Sequence, residues 1–169
     1  MRQSKQPEEL EKSSASVLAK TAILFSTAFG CGYSKKAPGT IGSIPGLLIG
    51  LSISHFIPSY GGRAGIVGLI VLLAIWAIHF TEKVWDTHDD QRIVIDEVAG
   101  QAIATAFLPV SIVGAVASFA LFRFFDIWKP GPIGWADANL PGVWGTLIDD
   151  LIAGVFTAVC CWGLINYVL

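Results

Sequence analysis

Charge is what this chain has least of. Lys, Arg, Asp and Glu together make 14% of its residues while 53% are hydrophobic, against roughly 25% charged in an ordinary soluble domain. An excess of basic residues is also missing. With 11 Lys and Arg against 13 Asp and Glu the net charge is -2, so there is no basic stripe to neutralise a phosphate backbone, and a nucleic-acid partner is excluded. Cysteine is scarce as well: Cys31, Cys160 and Cys161 have neither metal-ligand spacing nor an adjacent His and read as packing thiols rather than zinc ligands or a disulfide. The first residues mix Glu and Lys with Ser and lack the basic-then-apolar order of a secretory signal. Residues 1–16 are therefore expected to be a flexible cytoplasmic tail, and 17–169 a single membrane-embedded helical domain.

What is present is a succession of apolar segments. Residues 17–29 carry one charge, Lys20, and at ~1.5 Å per residue reach only about 20 Å, too short for a bilayer core of ~30 Å. A short interfacial helix is expected there. Residues 30–42 hold glycines, Pro38, Lys35 and Lys36 and read as a loop. Two helices follow over 44–57 and 64–80, joined by the turn Pro58-Ser59-Tyr60-Gly61-Gly62 and hence antiparallel. Residues 98–122 are uncharged and fit either one straight span or, because Pro109 divides them, a helical hairpin over 98–125 bent at Leu108-Pro109-Val110-Ser111. Residues 151–169, also uncharged, are the clearest span. The hairpin alone puts Lys35, Lys36, Lys83, Arg92, Arg123 and Lys129 on one side with only Arg63 opposite, as the positive-inside bias expects. The fold class is all-α: an integral membrane bundle of about five to six helices.

The few acids are placed conspicuously. Asp96-Glu97 and Asp149-Asp150 each stand at the mouth of an apolar segment, with Arg123, Asp126 and Lys129 between them. An ionised side chain beside hydrocarbon costs several kcal/mol unless paired, solvated or metal-bound, which makes these acids functional candidates. A lone acid pair at a helix start could simply complement the macrodipole, and Arg123 with Asp126 could be a plain ion pair. Acids for a hard cation beside bases for a phosphate are nonetheless the kit for metal-assisted phosphoryl chemistry. Glu82, Asp86 and Asp89 are spaced for one helix face; Asp86 and His79 read as solvated, with Glu82 and Asp89 as further candidates. The run from Lys35 through Pro38-Gly39-Thr40-Ile41-Gly42-Ser43 lacks Walker A spacing, but its lysine, hydroxyls and following helix start suit one phosphate.

Taken together, several ordered blocks resemble the phosphatidylglycerophosphatase A family. They are Gly30-Cys31-Gly32, Ala37-Pro38-Gly39-Thr40-Ile41-Gly42-Ser43, His88-Asp89, Ile93-Val94-Ile95-Asp96-Glu97-Val98-Ala99-Gly100, Phe122-Arg123-Phe124-Phe125-Asp126-Ile127-Trp128-Lys129-Pro130-Gly131-Pro132-Ile133, Asp137, and Ile148-Asp149-Asp150-Leu151-Ile152-Ala153-Gly154. The resemblance implies a Mg²⁺-dependent lipid phosphatase of the bacterial inner membrane that removes the terminal phosphate of phosphatidylglycerophosphate, built as a central helix surrounded by others. The chain departs from the family pattern at Gly142-Val143-Trp144-Gly145 and at Leu147, away from every candidate ligand.

The resulting expectation is an acidic cage of Asp96, Glu97, Asp126, Asp149 and Asp150 holding Mg²⁺ on the cytoplasmic face. Lys35, Thr40, Ser43, Arg123 and Lys129 would bind the substrate phosphate, while the lipid tails stay in the bilayer. The oligomeric state is left open. An ion- or proton-coupled transporter is the rival reading, since intramembrane acids also build such pathways. It requires acids near mid-depth, however, whereas these lie at segment ends. A nucleotide-dependent lipid phosphotransferase needs more acids in a spaced pattern on consecutive helices, which is absent.

Overall fold

The computed structural model describes residues 5–167, with side chains for 16–165. Among these residues there are seven α-helices and no strand: α1 (Lys5–Ser26), α2 (Pro38–Phe56), α3 (Tyr60–Trp85), α4 (Ile95–Ala106), α5 (Ile112–Trp128), α6 (Pro132–Asn139) and α7 (Val143–Tyr167). A short 3-10 turn, Cys31–Tyr33, links α1 to α2. Helices α2, α3 and α7 are long and apolar enough to cross a membrane. Helix α1 starts inside the segment read as a tail and runs through the short apolar stretch after it.

Local chemistry explains the boundaries. Helix α2 begins six residues before the expected Ile44 because Pro38 pre-sets the helical φ at the first position, after Ala37 turns the chain with φ 46. The Ser59 hydroxyl accepts from Gly62 N (3.2 Å) to start α3, and Ser111 accepts from Gly114 N (2.9 Å) to start α5. Helix α6 was not anticipated: it is eight residues long, opened by Pro132 after Gly131 at φ 55.

The hairpin reading holds. The chain leaves α4 at Ala106, turns through Pro109 and returns as α5, with Thr105 Oγ1 3.4 Å from Ser118 Oγ across the bend. Helix α4 is the centre of the bundle, packed chiefly against α2 and α7, with nearly every residue buried. Its neighbours come close because side chains are missing where they meet. A Cβ at Gly42, Gly46 or Gly50 of α2 would strike Val94, Val98, Gln101, Ala102 or Thr105. Such backbone-to-backbone packing is the device membrane helices use where hydrophobic driving force is absent.

The helices fall into register end to end. At one end Arg63 of α3 donates to Ser54 O (2.8 Å), Ile57 O (2.8 Å) and Ala106 O (3.2 Å), satisfying carbonyls at the carboxyl ends of α2 and α4. The other end gathers the amino termini of α2, α4 and α7 with the carboxyl termini of α1, α3 and α5. Val94 N donating to Ser26 O (2.8 Å) ties the start of α4 to the end of α1 there.

Candidate active site

All five expected cage acids lie at this second end. Asp96 and Glu97 occupy the first turn of α4, Asp126 the last turn of α5, and Asp149 and Asp150 the second turn of α7. Asp96, Glu97 and Asp150 meet: each can offer a carboxylate oxygen, and these oxygens lie within 4.8 Å of one another. Asp96 is 6% exposed and Asp150 3%. Asp96 Oδ1, Glu97 Oε2, Asp149 Oδ1 and Asp150 Oδ1 are buried without any hydrogen-bond donor. Burying anionic oxygens unpaired costs several kcal/mol each. Oxygens so placed fit a hard divalent cation, which prefers carboxylate ligands and would offset that cost.

Asp126 and Asp149 stand beside the trio, each with a cation. Asp126 Oδ2 is paired with Arg123 Nη1, and its charge also acts on Glu97 and Asp150. Asp149 Oδ2 accepts from Lys129 Nζ at 2.8 Å, and the same ammonium reaches Asp137 Oδ1 at 2.5 Å. Burial disfavours the Lys129 charge, but these two carboxylates outweigh it and raise the pKa above the usual lysine range. Lys129 can take its place because it ends α5 with φ 47, and α6 brings Asp137 back to it.

The cage is assembled by main-chain proximity. Gly100 and Gly154 sit one turn below Asp96 and Asp150, and a Cβ at Gly100 would lie 2.5 Å from Asp150 O and 2.7 Å from the Phe122 ring. Gly39, second residue of α2, abuts Glu97 Oε1, and a Cβ there would stand 3.2 Å from Arg123 Nη1. The amino terminus of α2 therefore faces the cage edge, where its free N–H groups favour an anion.

The expected phosphate-binding residues divide. Ser43 is buried, donates to Gly39 O (2.8 Å) and accepts from Arg123 Nη1 (3.4 Å), so α2 and α5 are bridged at the cage rim. Thr40 is half-buried in the first turn of α2, and Lys35 is exposed in the loop before it. Lys129, by contrast, already holds two carboxylates.

Glu82 and Asp89 lie outside the trio. Helix α3 stops at Trp85, with Asp86 turning the chain at φ 51, so the expected face continuing from Glu82 to Asp89 does not form. Glu82 Oε1 instead bonds His88 Nδ1 (2.9 Å), Asp89 N (3.3 Å) and Thr146 Oγ1 (3.1 Å). It anchors the loop preceding α4 to the first turn of α7. In the same loop Arg92 donates to Asp90 through N (3.0 Å), Nε (2.8 Å) and Nη2 (2.7 Å), holding the Asp90 carboxyl below the usual carboxylate range. Asp89 itself is exposed.

Two residues escaped the sequence reading. Gln101 lies one turn below Glu97, fully buried, with Oε1 unpartnered and Nε2 donating to Thr105 Oγ1 (3.1 Å). Its i+4 spacing from Glu97 was the available signal. Asp137 was visible only as part of a motif, because its partner Lys129 is reached through a helix that sequence alone did not resolve.

The chain as a whole is similar to known proteins. Residues 24–165 match the phosphatidylglycerophosphatase A family. The chain is 37% identical to phosphatidylglycerophosphatase A of Escherichia coli over 136 residues, covering 80% of this chain and 78% of that protein. It is 34% identical to phosphatidylglycerophosphatase A of Haemophilus influenzae, covering 86% and 90%. A Bacteroides thetaiotaomicron protein bearing the provisional name phosphatidylinositol-3-phosphatase is 34% identical, covering 81% and 89%. No solved structure matches.

Proposed function

The chain belongs to the phosphatidylglycerophosphatase A family, and on that premise we propose that it is a Mg²⁺-dependent phosphatase releasing the terminal phosphate of phosphatidylglycerophosphate. The observation that carries the proposal is the convergence of buried, donor-less oxygens of Asp96, Glu97 and Asp150 at one end of the bundle. These three would hold the metal. Asp126 and Asp149, each steadied by its cation, would orient the ligands and balance the charge around them. Bound Mg²⁺ would offset phosphate charge and ease deprotonation of an attacking water.

The remaining work falls to the chain itself. Arg123 can present its planar fork to two phosphate oxygens, and the amino terminus of α2 at Gly39 and Thr40 offers N–H donors to a third. Lys35, on the exposed loop before α2, would draw the anionic headgroup in from the interface. A cluster at the end of the bundle suits a headgroup at the membrane surface, whereas a transport pathway asks for acids at mid-depth. The lysine and arginine distribution supports a cytoplasmic site in a bacterial inner membrane.

The test is phosphate release from phosphatidylglycerophosphate by purified protein. Turnover with Mg²⁺ that EDTA abolishes is expected. Undiminished release after exhaustive chelation would remove the metal from the reaction, and no release under any condition would refute the substrate.

A further inference from the structure

A cleft of about 380 Å³ lies between α2 and α5, lined by Ile44, Leu47, Ala115, Val116, Phe119 and Ala120. Helical periodicity ties this wall to the catalytic end. On α5, Ala120, Phe119, Val116 and Ala115 stand three, four, seven and eight residues before Arg123, so they continue the stripe that ends in the guanidinium. On α2, Ile44 and Leu47 stand four and seven residues after Thr40 and continue its face. The lining of the cleft is wholly apolar, and the helix faces that form it lead toward the polar end where Arg123 Nη1 bridges to Ser43 Oγ. Two alanines among larger neighbours hollow the α5 side.

Two other apolar clefts among the described residues lie away from Arg123. One, lined by Ile103, Phe107, Leu108, Val155, Ala158, Val159 and Trp162, opens beside the hairpin bend at the far end. Another lies among α1, α2 and α3 against Ile95 and Val98 rather than against Glu97 and Arg123.

We propose that the α2–α5 cleft is an acyl-chain subsite that seats one tail of the substrate lipid while its phosphate sits at Arg123 and the cage. The proposal rests on the lipid phosphatase reading above. The dimensions agree with it. Eight residues of helix from Arg123 to Ala115 span about 12 Å, most of the depth of one leaflet in a hydrocarbon core of ~30 Å. A chain held there extends from its own headgroup without crossing the protein. The position of the cleft also fixes the route of entry, sideways from the bilayer between α2 and α5, so the substrate need not leave the membrane to reach the cage.

Narrowing the cleft should separate chain from headgroup. Ala115→Phe, with Ala115→Leu as the milder form, should raise KM for long-chain phosphatidylglycerophosphate in mixed micelles on the order of tenfold and leave kcat/KM for its dihexanoyl analogue within twofold. Ala158→Phe in the far-end cleft should alter neither. An equal loss with both substrates, or no change with the long-chain one, overturns the subsite. A second measurement does not depend on turnover: phosphatidic acid carrying a diazirine in one acyl chain should crosslink to peptides of α2 and α5 in the wild type and several-fold less in Ala115→Phe. Crosslinking in a protein that releases no phosphate would count against the headgroup assignment alone. Labelling spread evenly over α3 and α7 would count against the cleft.

Discussion

Gly39→Ala separates the stability of the bundle from the competence of its site. On helix propensity alone the change should help, since alanine exceeds glycine by up to about 1 kcal/mol within a helix. The position says otherwise, because the new methyl group would land on Glu97 Oε1 and close to Arg123 Nη1. Overpacking of this kind costs about 1–3 kcal/mol when the surroundings cannot yield. Here one side can: the clash is with the tip of a flexible carboxylate, which relieves it by swinging away. Net stability should therefore change by no more than about 2 kcal/mol, which is at most roughly 4–8 °C in melting temperature. The relief displaces Glu97 from Asp96 and Asp150. A displacement of about 1 Å in a reacting constellation can lower the rate roughly 100-fold, or about 2.7 kcal/mol of transition-state stabilisation. The assay is phosphate release across a Mg²⁺ titration, beside a thermal melt of the same preparation. A low rate with a near-normal melt is expected, along with a higher Mg²⁺ requirement. Full activity with an unchanged Mg²⁺ requirement would refute the contact, and a collapsed melt would show that Glu97 cannot move aside.

Asp150→Asn and Asp96→Asn should each abolish turnover in a folded protein. With EDTA present they should melt no lower than wild type, because one buried like charge has been removed, and Mg²⁺ should raise the melting temperature of wild type only. Arg123→Lys keeps the charge but loses the fork, so kcat/KM should fall at least tenfold; an unchanged value would reduce Arg123 to the ion-pair partner of Asp126. In a cysteine-free background, Lys36→Cys and Ala138→Cys should react with an impermeant thiol reagent from the cytoplasm and Tyr60→Cys from the opposite side. Labelling of Lys36→Cys and Ala138→Cys from different sides would break the one-sided site.

Much of the site was legible because its signals are chemical. Acids are so rare in this chain that their positions stand out, and Pro109 with the one-sided lysines and arginines argues for the hairpin without any coordinates. What could not be read was proximity. The glycines of residues 30–42 signalled a loop, yet Gly39 and Gly42 are helical and serve to bring α2 against α4. A glycine looks the same in sequence whether it frees a backbone or admits another one. The pairing of Lys129 with Asp137 was hidden because the eight-residue α6, which returns Asp137 to it, carries no amphipathic pattern and only Pro132 as a marker. The face expected from Glu82 to Asp89 failed because a left-handed residue, Asp86, ends α3 where polarity alone gave no stop.

The helices differ in reach, and the bilayer will respond to that. Helix α3 has 26 residues and α7 25, each close to 38 Å at ~1.5 Å per residue. Helices α2 and α5 have 19 and 17, about 28 and 25 Å. Counted as apolar runs, however, 64–80 of α3 and 151–167 of α7 reach about 26 Å, close to α2, and only α5, charged from Arg123 onward, is short. Lipids compress to meet a short hydrophobic face, so the leaflets should pinch along α5. The surface there sinks toward the acids, and a headgroup drifting by would have less distance to fall.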